Sequence, residues 1–172
     1  MAVPTTHRLK AAAGSAVFFL VAPTTVVGLI PYWLTGWRFE PFWTPLRVVG
    51  ALITVAAVAV VISAFVQFVV EGIGTPAPVA ETQYLVVKGL YRYVRNPIYI
   101  ALISAIAGQA LLFGQLGLLV YAAIAGATLV GFVKVYEEPR LAERFGDEYE
   151  AYCQTVPGWW PRLHSRPLRP RP

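Results

Sequence analysis

Charged residues are scarce in this chain: 13% of its 172 residues, against 57% that are hydrophobic. Soluble domains carry about a quarter charged residues, so the composition excludes an ordinary water-soluble enzyme. A single cysteine, Cys153, excludes an intramolecular disulfide; it reads as a small buried or interfacial thiol. The two histidines, His7 and His164, lie near opposite ends with no Cys at metal-ligand spacing. Neither a metal set nor a Ser-His-Asp arrangement can be traced. Gly72-Ile73-Gly74 lacks the strand–helix setting of a dinucleotide fingerprint, and no internal repeat is visible.

What is present is a set of long uncharged runs: Ala11–Trp37, Val48–Val70 and Asn96–Val133. A helix over Val48–Val70 would be about 35 Å long, against roughly 30 Å of bilayer hydrocarbon. The first two runs each fit one span and the third fits two short ones. The expected fold is therefore an all-α integral membrane protein, one membrane domain over residues 1–172. It has about four transmembrane helices plus a cytoplasmic amphipathic C-terminal helix. Helix 1 is placed at 10–34, helix 2 at 46–71 and a cytoplasmic loop at 72–96. A hairpin of helices 3 and 4 follows at 97–136, an amphipathic segment at 137–162 and a disordered tail at 163–172.

The formal net charge of +5 reads as membrane orientation rather than nucleic-acid binding. With four spans and a cytoplasmic N-terminus, only Arg38 and Arg47 of the 14 Lys and Arg residues face outward. Both termini are thus expected inside. The run after Lys10 is far longer than a signal h-region and has no small-residue cleavage site, so it reads as a retained helix. Pro23 predicts a kink whose freed backbone groups Thr24 and Thr25 can serve. Trp33, Trp37 and Trp43 read as an interfacial belt. Gln83–Lys88 has short β-like character, broken by Gly89. Asn96–Pro97 combines a favoured N-cap with a favoured first helical residue. Leu141, Phe145, Tyr149 and Tyr152 recur at steps of three or four, as on an amphipathic helix at the membrane surface or folded over the bundle.

Two polar clusters lie on the same side, separated by one helical hairpin: Tyr91-Arg92-Tyr93-Val94-Arg95-Asn96-Pro97-Ile98-Tyr99 and Glu137-Glu138-Pro139. A hairpin returns its end to its start, so the two clusters are expected to meet. A helix N-terminus suits a carboxylate or phosphate, and two carboxylates suit ribose hydroxyls or a cation. A ligand with a carboxylate, a ribose and a positive centre matches both, and S-adenosylmethionine is one.

GLYRYVRNPIY, followed about forty residues on by EEPRLAERFGDEYEAYCQTVPGWWPR, resembles the isoprenylcysteine carboxyl methyltransferases and their phospholipid methyltransferase-like bacterial relatives. The resemblance implies a helical membrane bundle whose cytoplasmic C-terminal part encloses S-adenosylmethionine. It implies that Gln83, Tyr84, Leu85 and Val86 line the cofactor, and that Gly89, Tyr91, Arg95 and the turn Asn96, Pro97, Ile98 and Tyr99 hold it together with Glu137. Asn96, Tyr99, Glu137 and Glu138 are the expected catalytic residues, and Lys134 the expected substrate contact. The implied acceptor is a lipophilic small molecule or lipid, met at the cytoplasmic face. The Arg-Asn-Pro form implies a prokaryotic inner membrane. Eukaryotic members usually have His where this chain has Asn96, and an arginine one turn before the acidic pair where it has Val133. Two other readings stand beside this one: an NADPH-dependent membrane reductase, with Arg92, Arg95 and Lys134 for the extra phosphate, and a non-catalytic lipid-binding scaffold. Oligomeric state is not readable.

Overall fold

A computed structural model describes residues 21–71 and 85–162. The start of the expected first helix, the loop up to Tyr84 and the tail from residue 163 lie outside the described residues. The described chain forms helix α1 (Val21–Thr35), α2 (Thr44–Glu71), α3 (Pro97–Phe113) and α4 (Gly117–Phe132). Helix α4 continues through a π turn at Val133–Glu137 into α5 (Glu138–Phe145), and α6 (Asp147–Thr155) follows.

Of the four expected spans, two are long and apolar enough to cross a bilayer: Thr44–Ala64, and the continuous helix Gly117–Phe145. The described part of α1 and the whole of α3 are shorter. Helix α3 is clipped by Pro97 at its start and by the left-handed Gly114 (φ 72°) at its end. Its 17 residues give about 26 Å at 1.5 Å per residue. The two long helices turn apolar side chains outward: Leu52, Val55, Val120 and Ile124 are each more than half exposed. Such faces are stable only against lipid or another apolar partner.

Helix α3 is the central element. It packs against α2 through Gly50 and Gly108, and the two backbones come so close that neither position has room for a side chain. A Cβ on Gly50 would lie 2.5 Å from the Leu112 nitrogen and 2.6 Å from the Gly108 oxygen. Arg47, near the start of α2, donates to the Leu112 carbonyl at 3.2 Å, satisfying a terminal acceptor of α3. On the other side Ile106 and Ala110 of α3 meet Leu118 and Ala122 of α4.

Both π segments precede a proline. In α1 the segment is Thr24–Leu29, closed by Ile30 N–H on Thr25 O, and Pro31 follows. At the end of α4 it is Val133–Glu137, closed by Glu138 N–H on Val133 O, and Pro139 follows. Proline has no N–H for the carbonyl four residues back and crowds it, so the helix widens by one residue just upstream. The carbonyl that Pro31 leaves without a donor is that of Val27, and Gln109 Nε2 on α3 donates to it at 2.8 Å. Tyr121 on α4 donates to the adjacent Val26 carbonyl at 2.9 Å. The expected kink at Pro23 is thus a π segment running on to Pro31, and neighbouring helices supply donors to two of its carbonyls.

Two expectations are corrected. Among the described residues there is no strand. Leu85–Val87 keeps the two-sided alternation of an extended chain, with Val86 in the cluster of Tyr91, Ile98 and Leu102 and with Leu85 and Val87 against Tyr149 and Tyr152. It lies between helices, which offer no ladder of backbone partners. The amphipathic segment is also not one helix. Gly146 at φ +48° splits it, and Leu141, Phe145, Tyr149, Tyr152 and Val156 close on one another and on Leu85 and Val87. Folding back over the 85–95 stretch buries the apolar stripe that a straight helix would have left at the surface.

Candidate functional site at the start of the helical hairpin

The stretch before α3 is ordered by a short 3₁₀ turn, Gly89–Arg92, which Gly89 opens at φ +55°. This turn buries Tyr91 beside Ile98 and Leu102. Asn96 stands at the cap position with Pro97 first in the helix, but its side chain does not cap α3. Its amide donates instead to the Gly158 carbonyl at 3.1 Å. The reason is the return of the chain after α6. Arg95 N–H donates to Pro157 O at 2.9 Å, and Arg162 N–H donates to Tyr93 O at 3.1 Å. An Asn side chain can serve its own backbone or another segment, and here the returning arm takes it.

One turn into α3, the Tyr99 hydroxyl donates to Glu137 Oε1 at 2.5 Å. The neighbouring carboxylate, Glu138, pairs with Arg95 at 3.1 Å. Arg95 also donates to the Tyr149 hydroxyl at 3.2 Å and contacts Cys153 Sγ. Consecutive residues of a helix point to different sides, so the two glutamates reach different partners, Tyr99 and Arg95. The hairpin therefore brings the two polar clusters into contact.

Burial pushes the phenols of Tyr91, Tyr149 and Tyr152 above their usual range, and Arg95 partly offsets the shift at Tyr149 and Tyr152. All three remain protonated near neutral pH. Tyr152 uses its proton to donate to the buried Tyr91 carbonyl at 2.6 Å, fastening α6 to the 3₁₀ turn. Tyr152→Phe leaves that carbonyl without its donor and is expected to cost about 1–3 kcal/mol, read as a lower thermal midpoint of the purified protein. An unchanged midpoint would show that the bond carries no stability.

Between the π turn, α5, α6 and Arg95 lies an open cleft of about 490 Å³, lined by Arg95, Lys134, Glu138, Tyr149 and Cys153 among others. It presents two cationic groups and one carboxylate within a single hollow. The expected site residues fall around it in several ways. Arg95, Glu138 and Lys134 line it, whereas Tyr99 and Glu137 meet beside it. Asn96 and Tyr91 are tied to the returning arm and α6, and Pro97 and Ile98 are buried in α3. Leu85 and Val86 pack on either side of the extended stretch. Gln83 and Tyr84 lie outside the described residues.

Sequence reasoning treated Tyr149 and Tyr152 only as an apolar stripe and missed Pro157 and Gly158. The spacing of Tyr149 and Cys153, one helical turn apart, was the available signal that both could face one partner, Arg95.

Comparison with curated proteins gives no match. A family model, that of the phospholipid methyltransferases, matches residues 46–148. The match runs from the start of α2 to the start of α6 and takes in both polar clusters. This chain belongs to the phospholipid methyltransferase family, whose members are membrane methyltransferases.

Proposed function

We propose that the protein transfers a methyl group from S-adenosylmethionine to a lipophilic acceptor at the cytoplasmic face of the membrane, within a four-pass bundle whose termini are both cytoplasmic. The observation that carries this reading is the paired contact Tyr99–Glu137 and Arg95–Glu138 at the edge of a mixed-charge cleft. In this reading α1 and α3 supply the two shorter crossings, and a local thinning of the bilayer accommodates them.

The donor set fits the cofactor. Arg95 suits its carboxylate, Glu138 its ammonium group, and Glu137, oriented by Tyr99, its ribose hydroxyls or sulfonium charge. Leu85, Val86, Gly89, Tyr91 and the Asn96–Tyr99 turn form the wall against the adenosine end, with Asn96 acting by holding the returning arm in place. When bound, the cofactor supplies an electrophilic methyl carbon on a positive sulfur, open to in-line attack by an acceptor lone pair. The protein's part is then alignment and exclusion of water. A carboxylate acceptor is already ionised near neutral pH and needs no base. An amine acceptor must first lose a proton, and Glu137 or Glu138 would take it. Lys134, exposed at the cleft rim, is proposed to contact the acceptor. Val133, standing where eukaryotic relatives place a substrate-binding arginine, argues against a prenylcysteine acceptor.

The test is incubation of purified protein with methyl-labelled S-adenosylmethionine and a membrane lipid extract. Label passing into the lipid-soluble fraction is the expected result. No such label, with calorimetry showing NADPH bound and S-adenosylmethionine ignored, would overturn the reading in favour of the reductase. Binding of neither would favour the scaffold.

A further inference from the structure

The arm that returns after α6 carries an exposed cluster that the cleft does not use. Val156 is buried against Tyr149 and Tyr152. Beyond it the chain is pinned at three points: Arg95 N–H on Pro157 O at 2.9 Å, the Asn96 amide on Gly158 O at 3.1 Å, and Arg162 N–H on Tyr93 O at 3.1 Å. Trp160 lies between these anchors, and it is 83% exposed. A segment fastened on both sides has little freedom to turn its indole inward, so the fold itself presents Trp160 to the outside.

Two arginines accompany it. Arg162 is exposed; its Nη1 donates to the Thr155 carbonyl at 3.1 Å, and no carboxylate pairs with it among the described residues. Arg92 is exposed as well, with its guanidinium 5.6 Å from the centre of the Tyr93 ring. Tyr93 is also the residue whose carbonyl receives Arg162 N–H. Two cations and an indole therefore belong to one strip joined through Tyr93.

The bundle sets the depth of that strip. Helix α4 turns from apolar to charged at Lys134, and Glu137, one turn further, touches Tyr99. The first turn of α3 consequently marks the polar edge of the spans, and Tyr93 lies four residues outside Pro97. Four residues reach at most about 14 Å, and the headgroup layer adds roughly 5–8 Å to each side of the hydrocarbon. Tryptophan is enriched at this level.

We propose that the strip is a docking surface for anionic lipid headgroups in the leaflet at the start of α3, with Trp160 in the interface and Arg92 and Arg162 toward lipid phosphates. Charge complementarity selects the occupant: each Lys or Arg near an anionic surface gains about fivefold in partition, and a zwitterionic surface offers no net charge to either arginine. The proposal rests on α3 being one of the crossings and not on the methyl-transfer reading.

The test uses the purified full chain in phosphatidylcholine nanodiscs holding the same minor fraction of either brominated phosphatidylglycerol or brominated phosphatidylcholine, with bromines near the glycerol end of the chains. Bromine quenches indole fluorescence on contact, and subtracting the signal of Trp160→Phe isolates Trp160 from the other four tryptophans. The anionic lipid is expected to quench Trp160 about two- to fivefold more strongly, up to the worth of one arginine at an anionic surface. Salt at about 0.5 M is expected to remove that excess by screening. Arg92→Gln combined with Arg162→Gln is expected to abolish it while quenching by phosphatidylcholine persists, because the backbone bond from residue 162 to Tyr93 needs no side chain. Quenching by neither lipid, as in water or under a protein partner, overturns the proposal. So does equal quenching by the two lipids in the wild type, or an excess that salt leaves in place. None of these failures touches the passage of methyl label into lipid, which tests the methyl-transfer reading separately.

Discussion

Glu137→Ala is expected to weaken S-adenosylmethionine binding by about ten- to hundredfold, the loss of a hydrogen bond to a charged group, measured by calorimetry on the purified protein. Two features make Glu137 the most sensitive position. Its carboxylate is held by Tyr99 at 2.5 Å, so a ligand meets an oriented acceptor rather than a mobile one. It is also the last residue of the π turn of α4, directly beside the Glu138 that pairs with Arg95. Tyr99→Phe keeps the carboxylate and loses only its orientation, so the expected loss is smaller. Wild-type affinity in Glu137→Ala would remove Glu137 from the site and leave the family assignment untouched.

The second large effect is on stability. Gly50→Ala adds one carbon where the Leu112 nitrogen and the Gly108 oxygen lie 2.5 and 2.6 Å away. These are backbone atoms of α3 and cannot rotate aside, so the two helices must separate along their whole contact. Overpacking of this kind costs about 1–3 kcal/mol and occasionally more, and the upper end is expected here because Arg47 and Thr54 hydrogen bonds lie at the same interface. Gly131→Ala is the control. A Cβ there meets nothing within 4 Å, and its thermal midpoint is expected not to fall. Equal midpoints in the two variants would refute the close approach of α2 and α3.

The sequence reveals its membrane class and the meeting of its polar clusters because both follow from patterns along one chain. Long uncharged runs are a matter of composition, and a hairpin joins Tyr99 to Glu137 by topology alone. Side-chain destinations depend on what another segment offers. Asn96 has every local reason to cap α3, yet the Gly158 carbonyl, 62 residues away, takes its amide. Leu85–Val87 alternates like a strand, but no partner strand lies beside it among the described residues. The recurring apolar residues from Leu141 to Tyr152 fit one helix by periodicity, and Gly146 divides them because the two halves close on each other. Gly50 and Gly108 escape a search for spaced small residues because each belongs to a different helix and their complementarity exists only across the interface. The π turns are partly legible in retrospect: Pro31 and Pro139 each mark a carbonyl that loses its donor.

The returning arm has a consequence for biogenesis. Helices α1 to α4 are complete by Phe132, but the bonds from Arg95, Asn96 and Tyr93 reach forward to Pro157, Gly158 and Arg162. In synthesis order, the bonds that fix the stretch before α3 are therefore the last to become available. A chain cut before Pro157 keeps every residue that lines the cleft and loses only the clamp that holds Tyr93, Arg95 and Asn96.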